Sequence, residues 1–170
     1  MVSGSLGWSA MDSKIPEKLL NRLHRGSIFD ILPLIPDNSV DCIFADPDYN
    51  VGVRYQGTSY TRSFKEYIDE CVRWSRECHR VLKEDGNFFI VNYGKNSAYL
   101  RTEYLDSAFS NVYEYVWVYR TNIGFGKTHF TTAHRIILHC TKSHSNRFYK
   151  DRVAQPYQNP TDRRIRKLLS

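Results

Sequence analysis

The residues best suited to chemistry stand together at Asp46-Pro47-Asp48-Tyr49. A carboxylate and a main-chain carbonyl stiffened by proline can accept the two hydrogens of an exocyclic amino group. An aromatic ring close behind them can stack on the flat ring that carries that group. Such an amino nitrogen is a poor nucleophile because its lone pair is delocalised into the ring. Accepting both its hydrogens pushes it toward pyramidal geometry and localises the pair. A base must leave its helix before such groups can reach it. Asp-Pro after a strand is also a frequent turn opener, so the tetrapeptide draws its weight from its setting.

That setting is a set of regular elements. Residues 40–45, just before the motif, have the length and β-branched or aromatic content of a strand. Residues 50–63 form a polar loop that could order over a substrate. From Phe64 onward, Tyr67, Ile68, Cys71, Trp74, Ser75, Cys78, Val81 and Leu82 recur at three- and four-residue spacing. This predicts a helix over 64–82 with one core-facing stripe, opened by the capping box Ser63–Glu66. Asp85-Gly86 then predicts a turn into a buried strand at 87–92. A second helix is expected over 96–109, and strands over 113–119 and 135–141 that close as an antiparallel edge hairpin. Upstream, residues 15–23 suit a short helix with Pro16 near its first turn. Residues 26–30 suit a short strand or turn, and 31–34 a half-helical segment. The alternation predicts an α/β sheet with helical crossovers. Ligands of open α/β sheets bind beyond the carboxyl ends of the strands. The loops at Asp46 and at Asn92-Tyr93-Gly94 should therefore line one crevice.

A chain of 170 residues fits one domain with a real core. Residues 1–14 read as a flexible leader or cloning remnant, with Met11 a candidate natural start, and 15–170 as the working part. No apolar run approaches the roughly 20 residues of a membrane helix. The start lacks the basic flank and apolar stretch of a secretory signal, so no membrane partner is expected. Four cysteines without Cys-x-x-Cys pairs or metal-ligand spacing predict no metal and a reducing, cytoplasmic setting. The net charge of +6 is unevenly spread: from Arg120 onward eleven Lys or Arg face only Asp151 and Asp162. Such asymmetry suits a polyanion partner on that side, with a solvated basic face as the alternative. Residues 120–131 lack the glycine and lysine spacing of a phosphate loop. Their basic, amide, hydroxyl and aromatic groups suit backbone contact and base stacking, and a long edge hairpin loop is the alternative. Arg120, Asn122, Lys127, His129 and Phe130, with Arg135 just beyond, are the nucleic-acid-binding candidates. His134 and His139 read as structural, and the basic run at 163–167 as either a phosphate contact or a loose terminus.

The runs His24-Arg25-Gly26-Ser27-Ile28-Phe29-Asp30-Ile31-Leu32 and Leu34-Ile35-Pro36-Asp37-Asn38-Ser39, continuing through Asp46-Pro47-Asp48-Tyr49 to Gly52, resemble the amino-terminal part of DNA amino-methyltransferases. Those enzymes methylate adenine N6 or cytosine N4 with S-adenosylmethionine. Val81 to Ile90, Val116 to Arg120 and Phe130 to Arg135 continue the likeness in order, over roughly residues 22–165. The order is similar to the permuted β class, in which the catalytic half comes first. The resemblance implies a Rossmann-like methyltransferase sheet, incomplete: the catalytic and target-recognition half, with an antiparallel edge hairpin. It implies Asp46, Pro47, Asp48 and Tyr49 as catalytic, Asp46, Ser27 and Asp30 on the cofactor side, double-stranded DNA as partner, and a restriction-modification setting. Aspartate at the first motif position implies adenine N6, with cytosine N4 as the alternative. Methylation of RNA or of a protein glutamine fits less well, because those families place the cofactor loop upstream.

Two departures stand out. Asp48 occupies a position usually held by proline, adding negative charge beside Asp46 that would disfavour ionisation of both and giving up rigidity behind the Pro47 carbonyl. The family's Phe-x-Gly-x-Gly cofactor loop occurs nowhere in the 170 residues. An incomplete cofactor site is therefore expected, and the partner expected besides DNA is a second chain carrying that loop, or a second copy in a homodimer. The competing expectation is a truncated, split or degenerate subunit that binds nucleic acid and is inactive alone.

Overall fold

The computed structural model describes residues 14–52, 62–120 and 127–169, together with the backbone of Arg54–Tyr55 and Thr58–Ser59. Residues 1–13, where the leader was expected, and Asn122 lie outside the described residues. In chain order the strands are β1 (Val40–Ala45), β2 (Arg54–Tyr55), β3 (Thr58–Ser59), β4 (Leu82–Asn92), β5 (Asn111–Val118) and β6 (His134–Thr141). The helices are α1 (Ile28–Ile31), α2 (Phe64–Val81), α3 (Gly94–Leu100), α4 (Asp106–Ala108), α5 (Lys150–Val153) and α6 (Arg163–Leu169).

β1, β4, β6 and β5 form one sheet in that order, while β2 and β3 make a separate antiparallel pair. β1 and β4 are parallel and joined through α2, the expected helical crossover. β6 is antiparallel to both β4 and β5. The last strand is thus inserted between its predecessors, and β5 becomes the outer strand at the edge opposite β1. That insertion brings the start of β6 and the end of β5 beside the carboxyl end of β4, since Ile136 pairs with Asn92 and His134 with Val118. Loop 119–133 therefore leaves the sheet at the same end as the Asp46 motif.

α2 forms as its stripe demands. Ser63 accepts from the Glu66 N–H while Glu66 reaches back to the Ser63 N–H, completing the capping box. Tyr67, Ile68, Cys71, Trp74, Cys78 and Val81 are buried against Phe88, Ile90, Leu138 and Cys140 on one face of the sheet. The opposite face carries the exposed rings of Phe44, Tyr113, Tyr115 and Trp117. No helix among the described residues is long and apolar enough to cross a membrane.

Four local expectations are corrected. Residues 15–23 make only a 3-10 turn, Glu17–Leu19; none of it is buried and Asn21 takes a positive φ of 53°, so no packed face supports a helix. Residues 26–30 enter helix α1, because the Ser27 hydroxyl caps it by accepting from the Phe29 N–H at 3.2 Å. The expected turn at Asp85-Gly86 is a bulge inside a continuous β4: the register jumps from Val40 opposite Leu82 to Cys42 opposite Asn87. A Cβ on Gly86 would lie 2.8 Å from the buried Leu82 side chain, so the close approach needs glycine. The helix expected over 96–109 starts at Gly94 and widens into a π turn at Arg101–Leu105 before α4.

Candidate active site

The motif begins one residue beyond β1, and its geometry is set from behind by buried polar side chains. The Tyr67 hydroxyl, on α2, donates to the Asp48 carbonyl at 2.7 Å. Asn92, at the end of β4 and 1% exposed, donates to the Tyr67 oxygen at 2.9 Å. Asn96, on α3, donates to the Asn92 side-chain oxygen at 2.8 Å and to the Tyr49 carbonyl at 3.1 Å. Two successive carbonyls of the motif are thus anchored by two different helices through one network. Such fully satisfied buried networks hold a backbone in one place. Rigidity lost by having aspartate at position 48 is supplied here from outside the loop.

Asp48 turns to its own partners. Its carboxylate accepts from the Asn50 N–H at 3.1 Å and pairs with Arg62 at 3.1 Å, and Arg62 also pairs with Glu70 at 2.9 Å. The added charge that was expected to burden Asp46 is therefore matched by a guanidinium. Asn50, at φ 55°, clamps residue 62 with both ends of its amide, accepting from the Arg62 N–H and donating to its carbonyl. Asparagine tolerates the left-handed region well.

The two ends of the motif meet. Tyr49 donates from its hydroxyl to the Asp46 carboxylate. Burial of the ring, then that carboxylate, pushes the Tyr49 phenol up to about 12. Asp46 itself is exposed, while Pro47 and Tyr49 are half-buried. Among the described residues the Pro47 carbonyl has no hydrogen-bond donor, so it stands free to accept.

Two clefts flank the loop. One, of about 500 Å³, is lined by Tyr49, Asn50, Val51, Phe64, Tyr93, Gly94, Lys95, Asn96, Thr132 and His134. Tyr93 stands edge-on to Tyr49 with ring centres 5.3 Å apart. The loops after β1 and β4 do share a crevice. The other cleft, of about 470 Å³, is bounded by Asp46 and Pro47 and otherwise by apolar residues of β1, α1 and α2 together with Leu32 and Ile35. Ile28 reaches it, but Ser27 and Asp30 line neither cleft.

Of the nucleic-acid candidates, Arg120, Lys127, His129 and Phe130 are exposed on the β5–β6 connection, with Phe130 wholly so. Arg135 alone among the described candidates reaches the motif: its guanidinium lies 5.1 Å from the Tyr49 ring centre and 3.9 Å from that of Tyr93. Part of the carboxyl-terminal positive charge is structural and sits at the other end of the sheet. Lys142 pairs with Glu84, and Arg147 with Asp41 and Asp85.

Comparison with known proteins decides the family. A family model described as DNA methylase, for N6 and N4 enzymes, matches residues 40–168. The chain belongs to the N6/N4 DNA methylase family. This methylase chain is 41% identical over 88 residues to the Type II methyltransferase M.BamHI of Bacillus amyloliquefaciens, covering 51% of the chain and 21% of that protein. It is 31% identical over 160 residues to M.BglII of Bacillus subtilis, covering 86% of the chain and 43% of that protein. The chain thus spans between about a fifth and about half the length of the curated relatives it matches. In fold it is similar to the PvuII DNA methyltransferase described as cytosine-N4-specific, with a TM-score of 0.60 at 14% identity over 75% of the chain and 51% of that structure. TTHA0409 of Thermus thermophilus, solved with S-adenosyl-L-methionine, gives a TM-score of 0.55 at 20% identity, over 75% of the chain and 57% of that structure. The incomplete mixed α/β sheet is therefore the methyltransferase sheet that the sequence implied.

Sequence reasoning missed the supports of the methylase motif. Tyr67 reads as one more member of the α2 stripe, and Asn96 as an ordinary helix residue. Asn92 was placed at the crevice but not in a network. A polar atom at a core-facing helical position was the one available signal, since a buried hydroxyl has to find a partner.

Proposed function

We propose that these residues form the base-holding part of a DNA amino-methyltransferase that transfers a methyl group from S-adenosylmethionine to adenine N6. The observation that carries this is the exposed Asp46 carboxylate beside the Pro47 carbonyl, which has no donor among the described residues, and the Tyr49 ring, at the carboxyl end of a parallel strand pair. Those two acceptors fit the two hydrogens of one amino group. The Tyr49 and Tyr93 rings fit the flat face of an extruded base. The exposed basic and aromatic groups of the β5–β6 connection emerge at the same end, where the backbone of double-stranded DNA would lie. The names of the Type II relatives support a restriction-modification setting.

The described residues fit S-adenosylmethionine only in part. The 470 Å³ cleft offers apolar walls and, at its rim, the single carboxylate of Asp46. Its lining includes no other charged or amide side chain that could bind ribose hydroxyls or an amino-acid group. A second reading follows from this and from the missing Phe-x-Gly-x-Gly: the chain binds nucleic acid but needs polypeptide beyond these 170 residues to hold cofactor. That polypeptide carries the glycine-rich loop, either in continuation of this sequence or as a second chain.

The test is methyl transfer from labelled S-adenosylmethionine to mixed-sequence duplex DNA, followed by nucleoside analysis. Methyl groups on adenine N6 that vanish in Asp46→Ala support the first reading, and methyl groups on cytosine N4 redirect it. DNA binding without cofactor binding by calorimetry supports the second. Methyl transfer unimpaired by Asp46→Ala removes Asp46 from its role.

A further inference from the structure

We infer that Arg135 is a positioning residue that fills the stacking place beside Tyr49 and Tyr93 until a base arrives, and then turns its guanidinium to a neighbouring phosphate. The inference rests on the base-holding reading above. Arg135 lies on β6 opposite Trp117 of β5, one residue before the Ile136–Asn92 pair. Its Cζ is 3.9 Å from the Tyr93 ring centre, 5.1 Å from that of Tyr49 and 5.2 Å from that of Tyr119. Its Nη1 donates to the Tyr119 hydroxyl and, at 3.1 Å, to the His134 carbonyl. Among the described residues no carboxylate pairs with it, whereas Arg62, Arg80, Arg101, Arg147 and Arg164 each have one.

A guanidinium is planar, delocalised and weakly hydrated, so it lies on aromatic rings much as a base does. It also makes two-pronged contacts with phosphate. The same group can therefore keep water and misplaced side chains away from the rings in the absence of DNA, and hold the backbone once a base displaces it. An arginine clipped in place only to pack the sheet end would stay where it is.

The test uses the full chain, labelled with 15N-arginine, and a duplex bearing one 2-aminopurine opposite an abasic site, which costs little to extrude. In the free protein the Arg135 Nε–H resonance, assigned by its loss in Arg135→Lys, is shifted by ring currents. It moves to an ordinary position as 2-aminopurine fluorescence reports stacking. Arg135→Met still stacks the 2-aminopurine, but its log–log salt dependence of DNA affinity becomes shallower by about 0.9, the signature of one lost phosphate contact. Should the resonance stay ring-shifted while the base stacks, Arg135 is a structural clip: the inference falls and the base-holding reading stands. Should no variant or wild-type protein stack the 2-aminopurine, the base-holding reading falls and takes this inference with it. The wild-type resonance decides the matter even if Arg135→Met fails to fold.

Discussion

The Tyr49 hydroxyl donates its hydrogen bond to the Asp46 carboxylate, so the acceptor and the stacking ring proposed for one base satisfy each other in its absence. Binding has to exchange that bond for one from the substrate amine. Tyr49→Phe keeps the ring and removes the competing donor, and is expected to retain base stacking. Tyr49→Ala removes the ring and should weaken base binding by about 1–3 kcal/mol. Titration of each variant with a 2-aminopurine duplex checks this; equal affinity for Tyr49→Ala and wild type would exclude the ring from the site.

Tyr67→Phe tests the support behind the motif. It leaves the buried Asn92 amide and the Asp48 carbonyl each short of a partner. The expected loss is about 1–3 kcal/mol of stability, read from the urea midpoint at unchanged slope. A loss below a few tenths of a kcal/mol would mean that the network contributes little.

Acid should destabilise the fold through two histidines. Burial holds both His79 and His139 below the ordinary 6.5, and the nearby Lys142 charge adds to the effect at His79. The unfolded chain therefore binds more protons near and below pH 6.5. Their contribution is fully present above 6.5 and is lost as pH falls through the depressed folded values. The melting temperature should drop between pH 7.5 and pH 5.5, and less steeply in His139→Gln. Asp41, held low by its hydrogen bond to Lys83, acts in a separate window below about 4.

Thiol labelling should distinguish one cysteine from three. Cys42 is exposed on β1, whereas Cys71, Cys78 and Cys140 are buried, with burial pushing their thiols up to about 11, 12 and 12. Under native conditions an alkylating reagent should modify one thiol per chain, and four after unfolding. Mass spectrometry of the peptides reports which; rapid native labelling of Cys71 would contradict the packing of α2.

What could be read from the amino acids alone follows from how local each signal is. β1 and α2 were legible to within a residue, because a six-residue stretch rich in β-branched and aromatic residues and a capped, striped helix carry their own instructions. The bulge at Gly86 was read as a turn because Asp-Gly signals either, and only the partner strand distinguishes them. Insertion of β6 between β4 and β5 depends on pairings far apart in the chain, on which periodicity is silent. In the site, Asp46 and Tyr49 were legible as a motif. Arg135 was picked out only as a basic group near a loop, since its approach to Tyr49 and Tyr93 needs the sheet to be assembled.

Among the described residues β1 has one hydrogen-bonded neighbour, β4, whereas β4 has two. Amide protons of Ile43 and Ala45 should consequently exchange with solvent sooner than those of Phe88 and Ile90, since opening the outer strand requires no disruption of the rest of the sheet. Asp46 hangs from that strand. The proposed reaction centre is therefore tied to one of the two edge threads of the fabric, and a neighbour that clasped β1 from its open side would steady the chemistry without touching it.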